Sequence, residues 1–372
     1  MRVLVTGANG FIGKNLVVRL HELLGYEVLT FVRGQDVALL ADLVAEADAI
    51  VHLAGENRPA DEQAFTDVNA GLTMALCDAL RLTLAQSGRK VPLLLASSTQ
   101  AELDNAYGRS KLAAEQAVQA LAQDTQNPVV AFRLPGVFGK WCKPNYNSVV
   151  ATFCYNAAHD LPIQVHDPDT VLRLVYVDDV VTAFIDALVP SSEGFSWGEV
   201  SPEYSMSLGE LANHIHAFKN SRDSLLIEQV GDGLFRALYS TYMSYMPSTQ
   251  FCYEIPQYGD ERGVFVEMIK STDSGQFSFF TAHPGVTRGG HYHHTKTEKF
   301  LVVKGRARFR FRHLLTNEYV ELTTSADKPV VVDTIPGWAH DVTNIGDDDM
   351  IVMLWANEIF DRDHPDTVAS QV

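Results

Sequence analysis

The chain has 372 residues, more than a single domain of roughly 100–200 residues needs, so two domains are expected. Apolar residues make up 46% and charged residues 20%, enough material for two cores, which excludes wholesale disorder. With 29 Lys plus Arg against 46 Asp plus Glu the net charge is −17, and a surface that acidic repels a phosphate backbone: no nucleic-acid partner is expected, although a nucleotide in a local pocket is allowed. In chain order, Val3–Thr6 reads as a strand ending in glycines. Residues 11–24 then carry Phe11, Ile12, Leu16, Val17, Leu20, Leu23 and Leu24 at helical spacing. Glu27–Val32 and Ala49–Leu53 read as strands, 69–86 as a helix, Pro92–Ala96 as a strand, 107–123 as a helix and Val129–Arg133 as a strand. That alternation predicts an α/β Rossmann-like doubly wound parallel sheet with helices on both faces.

Past about residue 245 long helical patterns stop. Stretches 264–270, 276–282, 299–303, 306–313, 318–323, 329–334 and 350–355 read as strands joined by short turns. The clearest is Arg306–Arg312, where arginines take one parity and Ala307, Phe309 and Phe311 the other. One wet face and one buried face predict an all-β antiparallel sandwich or barrel. The boundary is expected near 245–255, giving domains 1–247 and 252–372. The four cysteines are scattered without a CxxC pair and read as buried, reduced thiols. No apolar run approaches the roughly 20 residues of a membrane span, and the N-terminus enters a strand without a signal-peptide pattern. A soluble cytoplasmic protein, with no membrane partner, is expected.

Gly7-Ala8-Asn9-Gly10-Phe11-Ile12-Gly13 follows the first strand and opens the first helix. Glycines in that context let backbone N–H groups approach a pyrophosphate, whose charge the helix N-terminus favours. The adenosine ribose is read about 20 residues later, which lands on Arg33. Arg33 can pair with a 2′-phosphate, so NADP is expected, with Asp36 close enough to argue for NAD. Tyr107 and Lys111 form a YxxxK whose members share a helix face. The lysine can lower the tyrosine pKa and hold the nicotinamide ribose, while the tyrosine gives a proton to a carbonyl oxygen as hydride reaches the carbon. Ser97-Ser98-Thr99, at a strand end, can supply a third hydrogen bond.

These residues resemble the extended short-chain dehydrogenase/reductase family, whose members act on nucleotide sugars, over roughly residues 1–245. By position the resemblance implies that Ser98, Tyr107 and Lys111 are catalytic. It implies that His52 with Leu53, Ala54 and Gly55 lines the cofactor, and that Arg133–Gly139 lies between cofactor and sugar. Arg173 and Tyr176–Val180 match the region that closes on the nucleotide, where Asp178 and Asp179 read equally well as a helix cap. The gap from Ser98 to Tyr107 is short, so Thr99 competes for the serine's place. The loop 140–148 carries Lys140, Trp141, Lys143, Asn145, Tyr146 and Asn147, cations for phosphate and rings for uracil, or an ordinary loop.

A second constellation lies at Gly290–Glu298. His291 and His293, two apart on a strand, point to one side, Glu298 returns after a turn, and His340 follows a distant Pro336-Gly337. Three imidazoles and a carboxylate suit a borderline divalent metal with an open position. The spacing resembles the two-part cupin signature over about residues 255–360, with one residue missing from the second part. It implies a jelly-roll barrel and the ligands His291, His293, Glu298 and His340, of which three can suffice. His294 and Lys296 remain as acid–base candidates.

Together the two halves resemble the bifunctional capsular-polysaccharide enzymes of the CapF/WbjC type. The resemblance implies a cupin that epimerises C3 of UDP-2-acetamido-2,6-dideoxy-4-ketohexose, and a reductase that then reduces C4 with NADPH, toward UDP-N-acetyl-L-fucosamine. It further implies zinc and a homodimer. A reductase whose cupin is only a structural or dimerisation module is the competing reading.

Overall fold

The computed structural model describes residues 1–57, 65–190, 192–260, 263–266, 268–271, 275–358 and 363–372, which divide into two compact units. The first comprises Met1–Ser148 and Leu172–Ser205. Its centre is a six-stranded sheet in the order Glu27–Phe31, Arg2–Thr6, Ala49–His52, Leu93–Ser98, Val129–Leu134, Phe195–Gly198, with every neighbouring pair parallel. Strands covered on both faces are apolar at both parities. Val3 and Val5 therefore pack with Leu16, Leu20, Val180 and Phe184 from helices Phe11–Glu22 and Val177–Ala187. Leu4, Ile50 and Leu93 pack on the other side with Val44, Leu76, Leu80 and Val118, from helices Leu39–Glu46, Leu72–Ser87 and Ala106–Thr125. The strand order reverses between Arg2–Thr6 and Ala49–His52, so the ligand crevice of such a sheet opens at their carboxyl ends, beside Gly7 and Leu53-Ala54-Gly55.

The second unit comprises Val149–Val171 and Met206–Val372. Its body is two five-stranded antiparallel sheets. One runs Cys252–Glu254, Val330–Asp333, Glu298–Lys304, Met350–Ala356, Gln276–Ala282. The other runs Tyr319–Ser325, Arg306–His313, Trp338–Asn344, Thr287–Tyr292, Val368–Ala369. The period of two in Arg306–His313 is realised, with Ala307, Phe309 and Phe311 buried. The strand expected at 264–270 is seen as Gly263–Val266 and Lys270–Ser271, with residue 267 outside the described residues.

Helices Val149–Ala158, Leu208–Ser224 and Gly233–Met243 group with these sheets. The Ser207/Glu210 capping box starts the helix Leu208–Ser224. From that helix Arg222 reaches the buried Asp333 carboxylate, which also takes Lys299 Nζ at 2.8 Å. Ser240 donates to the Thr295 carbonyl, and Asn357 Nδ2 to the Val230 carbonyl at 3.3 Å.

Candidate active sites

In the first unit the glycine loop forms a cradle that no side chain fills. Gly7 has φ +70° and a Cβ there would lie 2.7 Å from the Ala54 nitrogen, while a Cβ on Gly13 would lie 2.3 Å from the Gly7 oxygen. Gly10 offers no side-chain cap to the helix it starts, and no acid stands in the first turn, so the helix N-terminus keeps its positive partial charge. That fits a dinucleotide pyrophosphate lying over Asn9, Gly10, Phe11 and Ile12. Behind the cradle His52 is buried between Thr6 Oγ1 at 2.6 Å and Thr73 Oγ1 at 2.9 Å. Burial first, and the charge of Lys111 second, push its pKa down to about 3, so it is a neutral structural group. Arg33 stands exposed at the end of its strand, paired with Glu56. Asp36, its rival in the sequence, accepts from the Ala38 N–H at 3.0 Å. Glu56 is the acid that reaches Arg33, and its chain position gave no hint of it.

Ser98 ends the strand Leu93–Ser98, accepts the Gln100 N–H at 3.1 Å and is the hydroxyl that partly offsets the pKa rise of Tyr107. Thr99, the alternative, is the first residue of the short 3₁₀ turn that follows. Asn105 accepts the Gly108 N–H at 2.7 Å and so starts the helix that carries Tyr107 and Lys111 one turn apart. Burial raises the Tyr107 pKa, and the Ser98 bond only partly offsets it. Lys111 is buried with Nζ donating to the Ala96 carbonyl at 2.6 Å, and burial pushes it down to about 8 against the pull of Glu115. The expected lowering of Tyr107 by Lys111 is thus not seen, because that ammonium is engaged with a carbonyl and burial governs the phenol.

Glu115, one further turn along the same face, escaped the sequence reading. Buried, it receives Arg133 through Nε at 3.0 Å and Nη2 at 2.7 Å, a bidentate grip, and also the Ser97 hydroxyl. The period 107–111–115 on one helix face was the signal available. Asn69 was also missed: it donates to Ser110 Oγ at 2.9 Å and accepts the Glu56 N–H at 2.7 Å, holding the chain after Gly55 against the helix.

A cleft of about 850 Å³ is lined by Thr99, Glu102, Arg133, Arg173, Trp197 and Glu203, among others. Both arginines enter it as ion pairs, Arg133 with Glu102 at 2.6 Å and Arg173 with Glu203 at 2.6 Å. Asn145 and Asn147 are exposed on the 139–148 loop and are not part of that lining. Lys140, read from sequence as a phosphate cation, is instead buried on Asp178 at 2.6 Å, because burying an ammonium requires a counter-charge.

In the second unit His291, His293, Glu298 and His340 bring their ligand atoms within 4.8 Å of one another. His291 ends the strand Thr287–Tyr292 and is in register with His340, while Glu298 opens a strand of the facing sheet, so the cup lies between the sheets. Glu298 Oε2 is 3.2 Å from His293 Nε2 and 3.5 Å from His340 Nε2, and the latter nitrogen is buried without a hydrogen bond. A buried, unpaired imidazole nitrogen beside a carboxylate is what a divalent metal would satisfy, so the residues fit one. Burial alone would raise Glu298, but the adjoining imidazoles of His293 and His340 and the charge of Lys296 hold it well below the usual carboxylate range. Burial, then the neighbouring imidazoles, push His291 down to about 4. Deprotonated ligands are the form a metal takes. Lys296 joins the cup with Nζ 3.3 Å from Glu298 Oε1. The His294 ring lies edge-on to Tyr292 at 5.6 Å, and its backbone N–H donates to Asp366 at 2.8 Å.

Asp366 is a further residue that sequence reading missed. It belongs to the segment 363–372, whose strand Val368–Ala369 pairs with His291 and Tyr292. Among the described residues no helix is long and apolar enough to cross a membrane.

The profile of the NAD dependent epimerase/dehydratase family matches residues 3–196, and that of the polysaccharide biosynthesis C-terminal domain matches 258–368. A curated relative, the UDP-2-acetamido-2,6-beta-L-arabino-hexul-4-ose reductase of Pseudomonas aeruginosa, is 55% identical across 100% of this chain and 99% of its own. The crystal structure of the capsular polysaccharide assembling protein CapF from Staphylococcus aureus is similar over all of both chains, at TM-score 0.66 and 41% identity. The UDP-glucuronic acid 4-epimerase of Bacillus cereus, solved with UDP-glucuronic acid and NAD, shares the fold alone, at TM-score 0.52 and 18% identity over 59% of this chain and 83% of that one. With a glycine cradle in one unit, a metal-capable cup in the other, and both profiles in that order, the chain belongs to the NAD dependent epimerase/dehydratase family and, within it, to the CapF type.

Proposed function

We propose that the chain is a bifunctional nucleotide-sugar enzyme, a 3-epimerase and a 4-ketoreductase, acting on UDP-2-acetamido-2,6-dideoxy-4-ketohexose in capsule or O-antigen synthesis. Two things support the reading: the name of the full-length relative, and the cup that gathers His291, His293, Glu298 and His340 with Lys296 beside them. The cup carries it. Lys296, 3.3 Å from a ligand carboxylate, places an acid–base group beside the cup and favours chemistry there over a purely structural or dimerisation module.

In the second unit, a divalent metal, zinc in our reading, would supply Lewis-acid polarisation of the ketone beside C3 when bound. The three histidines and Glu298 hold it, and Lys296 with His294 are the groups we assign to moving the C3 proton between faces. In the first unit, NADPH bound over the glycine loop would be the source of hydride for C4. Tyr107 gives its proton to the ketone oxygen, Ser98 holds that oxygen and the phenol, and Lys111 holds the nicotinamide ribose. Arg33 is our assignment for the 2′-phosphate, at the cost of its contact with Glu56. Thr99, Arg133 and Arg173 from the cleft, with Asn145 and Asn147 from the loop beyond it, are assigned to the UDP-sugar. We further assign the reductase to residues 1–247 and the cupin to 252–372, and place the enzyme in the cytoplasm as a homodimer.

Epimerisation first and reduction second is the productive order, because only the ketone acidifies the C3 proton. Chelating the metal is expected to stop C3 proton exchange, followed by NMR, while NADPH affinity stays unchanged. Exchange at the undiminished rate in metal-free protein would overturn the assignment of the cup.

A further inference from the structure

We infer that Asp366, from the C-terminal segment, is a positioning residue for the metal cup, building the loop that carries the histidines through one carboxylate. The inference rests on the metal reading of the cup. After His293 the chain turns through His294, Thr295 and Lys296 to reach Glu298, and a turn that tight leaves backbone donors unpaired. Asp366 collects them. Oδ1 accepts the His294 N–H at 2.8 Å, while Oδ2 accepts the Thr295 N–H at 2.6 Å, the Lys296 N–H at 2.7 Å and the Thr295 hydroxyl at 3.0 Å. Three successive N–H groups converging on one anion form a nest, here closed by the protein's own carboxylate.

The same residue acts on a ligand directly. Its backbone carbonyl receives Nδ1 of His293. A carbonyl only accepts, so Nδ1 donates to it, and the ring is held with Nε2 turned into the cup, where Glu298 stands 3.2 Å away. This is the outer partner that a metal-binding imidazole needs to fix its tautomer and ring plane. The neighbouring Thr367 Oγ1 lies 3.4 Å from Lys296 Nζ, and the strand Val368–Ala369 pairs with Tyr292 and His291. One short segment, absent from both parts of the histidine pattern, thus touches His291, His293, the turn between them and Glu298, and Lys296. The carboxylate anchors the segment, and the anchored segment sets the ring.

Competition of the full-length protein with a chromogenic chelator for Zn²⁺, together with the visible spectrum of the Co²⁺-loaded protein, tests this. Outer partners of metal ligands are typically worth about 10–100-fold in affinity. Asp366→Ala is expected to weaken Zn²⁺ by that factor and to alter the Co²⁺ bands, with Asp366→Asn in between because its amide keeps one acceptor. NADPH affinity is expected to stay at the parent value. If the alanine variant does not fold, the asparagine variant decides. Parent affinity and an unchanged cobalt spectrum in a folded variant would overturn the inference. Failure of the parent protein itself to bind Zn²⁺ or Co²⁺ would instead overturn the metal reading on which it stands, so the two failures are distinguishable.

Discussion

Tyr107→Phe is expected to slow ketone reduction by about 10²–10⁴-fold, the usual worth of a positioned general acid, with NADPH affinity unchanged. The change removes one oxygen from a half-buried ring and disturbs little else, because the helix is held by Asn105 at its start and by Lys111 on the Ala96 carbonyl. The Ser98 hydroxyl keeps its bond from Gln100. Since burial raises the phenol's pKa, the parent group is protonated throughout the neutral range and ready to donate. Proton exchange at C3 depends on the other unit and is expected to continue in the variant. NADPH oxidation at 340 nm gives the first rate and NMR the second. A variant that reduces the ketone within a few-fold of the parent would remove Tyr107 from the role assigned to it.

Asp333→Ala is expected to destabilise the second unit by about 3–5 kcal/mol, the typical cost of leaving buried charge uncompensated. Asp333 is 1% exposed and bridges Arg222 and Lys299. Burial alone would push Lys299 down, yet Asp333 holds its pKa raised, which makes the carboxylate the counter-charge that permits an ammonium there. The alanine variant strands two cations without a counter-charge, leaving Arg222 its bond to the Gln250 carbonyl and Lys299 Nζ the Tyr253 hydroxyl at 3.2 Å. Urea unfolding followed by tryptophan fluorescence measures the loss, since Trp338 and Trp355 are both buried in this unit. A shift below about 1 kcal/mol, the value of an exposed pair, would mean that the triad is solvated and does not hold helix to barrel.

Much of this architecture was legible because its two periodicities differ. Val3–Val5, Ala49–Val51 and Leu93–Leu95 are apolar at both parities, as strands covered by helices on both faces must be. Arg306–His313 alternates, as a strand with one wet face must. The metal cup was legible for a related reason: His291 and His293 are two apart and Glu298 one turn later, so local spacing alone brings three of the four together. His340 needed only the register of one neighbouring strand. What stayed hidden was long-range and carried by single residues. Asp366 is one of 46 acidic side chains, and nothing near it in sequence marks it as the partner of three backbone N–H groups. Glu115 lies in an Ala- and Gln-rich helix, where an acid usually faces water, until Arg133 from a neighbouring strand claims it. Lys140 reads as a free cation because Asp178 is far along the chain. The attachment of the helices Leu208–Ser224 and Gly233–Met243 was likewise hidden, because it rests on single long-range contacts, Arg222 with Asp333 and Ser240 with the Thr295 carbonyl.

In the proposed function one chain first inverts a carbon and then reduces its neighbour. A single reaction in heavy water tests it most directly, with the UDP-4-keto-6-deoxy-N-acetylhexosamine and NADPH supplied and the product mapped by NMR and mass spectrometry. The account predicts a reduced sugar that carries solvent deuterium on C3 and protium from the cofactor on C4. A reduced sugar without deuterium at C3 would contradict it, leaving the reductase standing and the cup without a part in the chemistry.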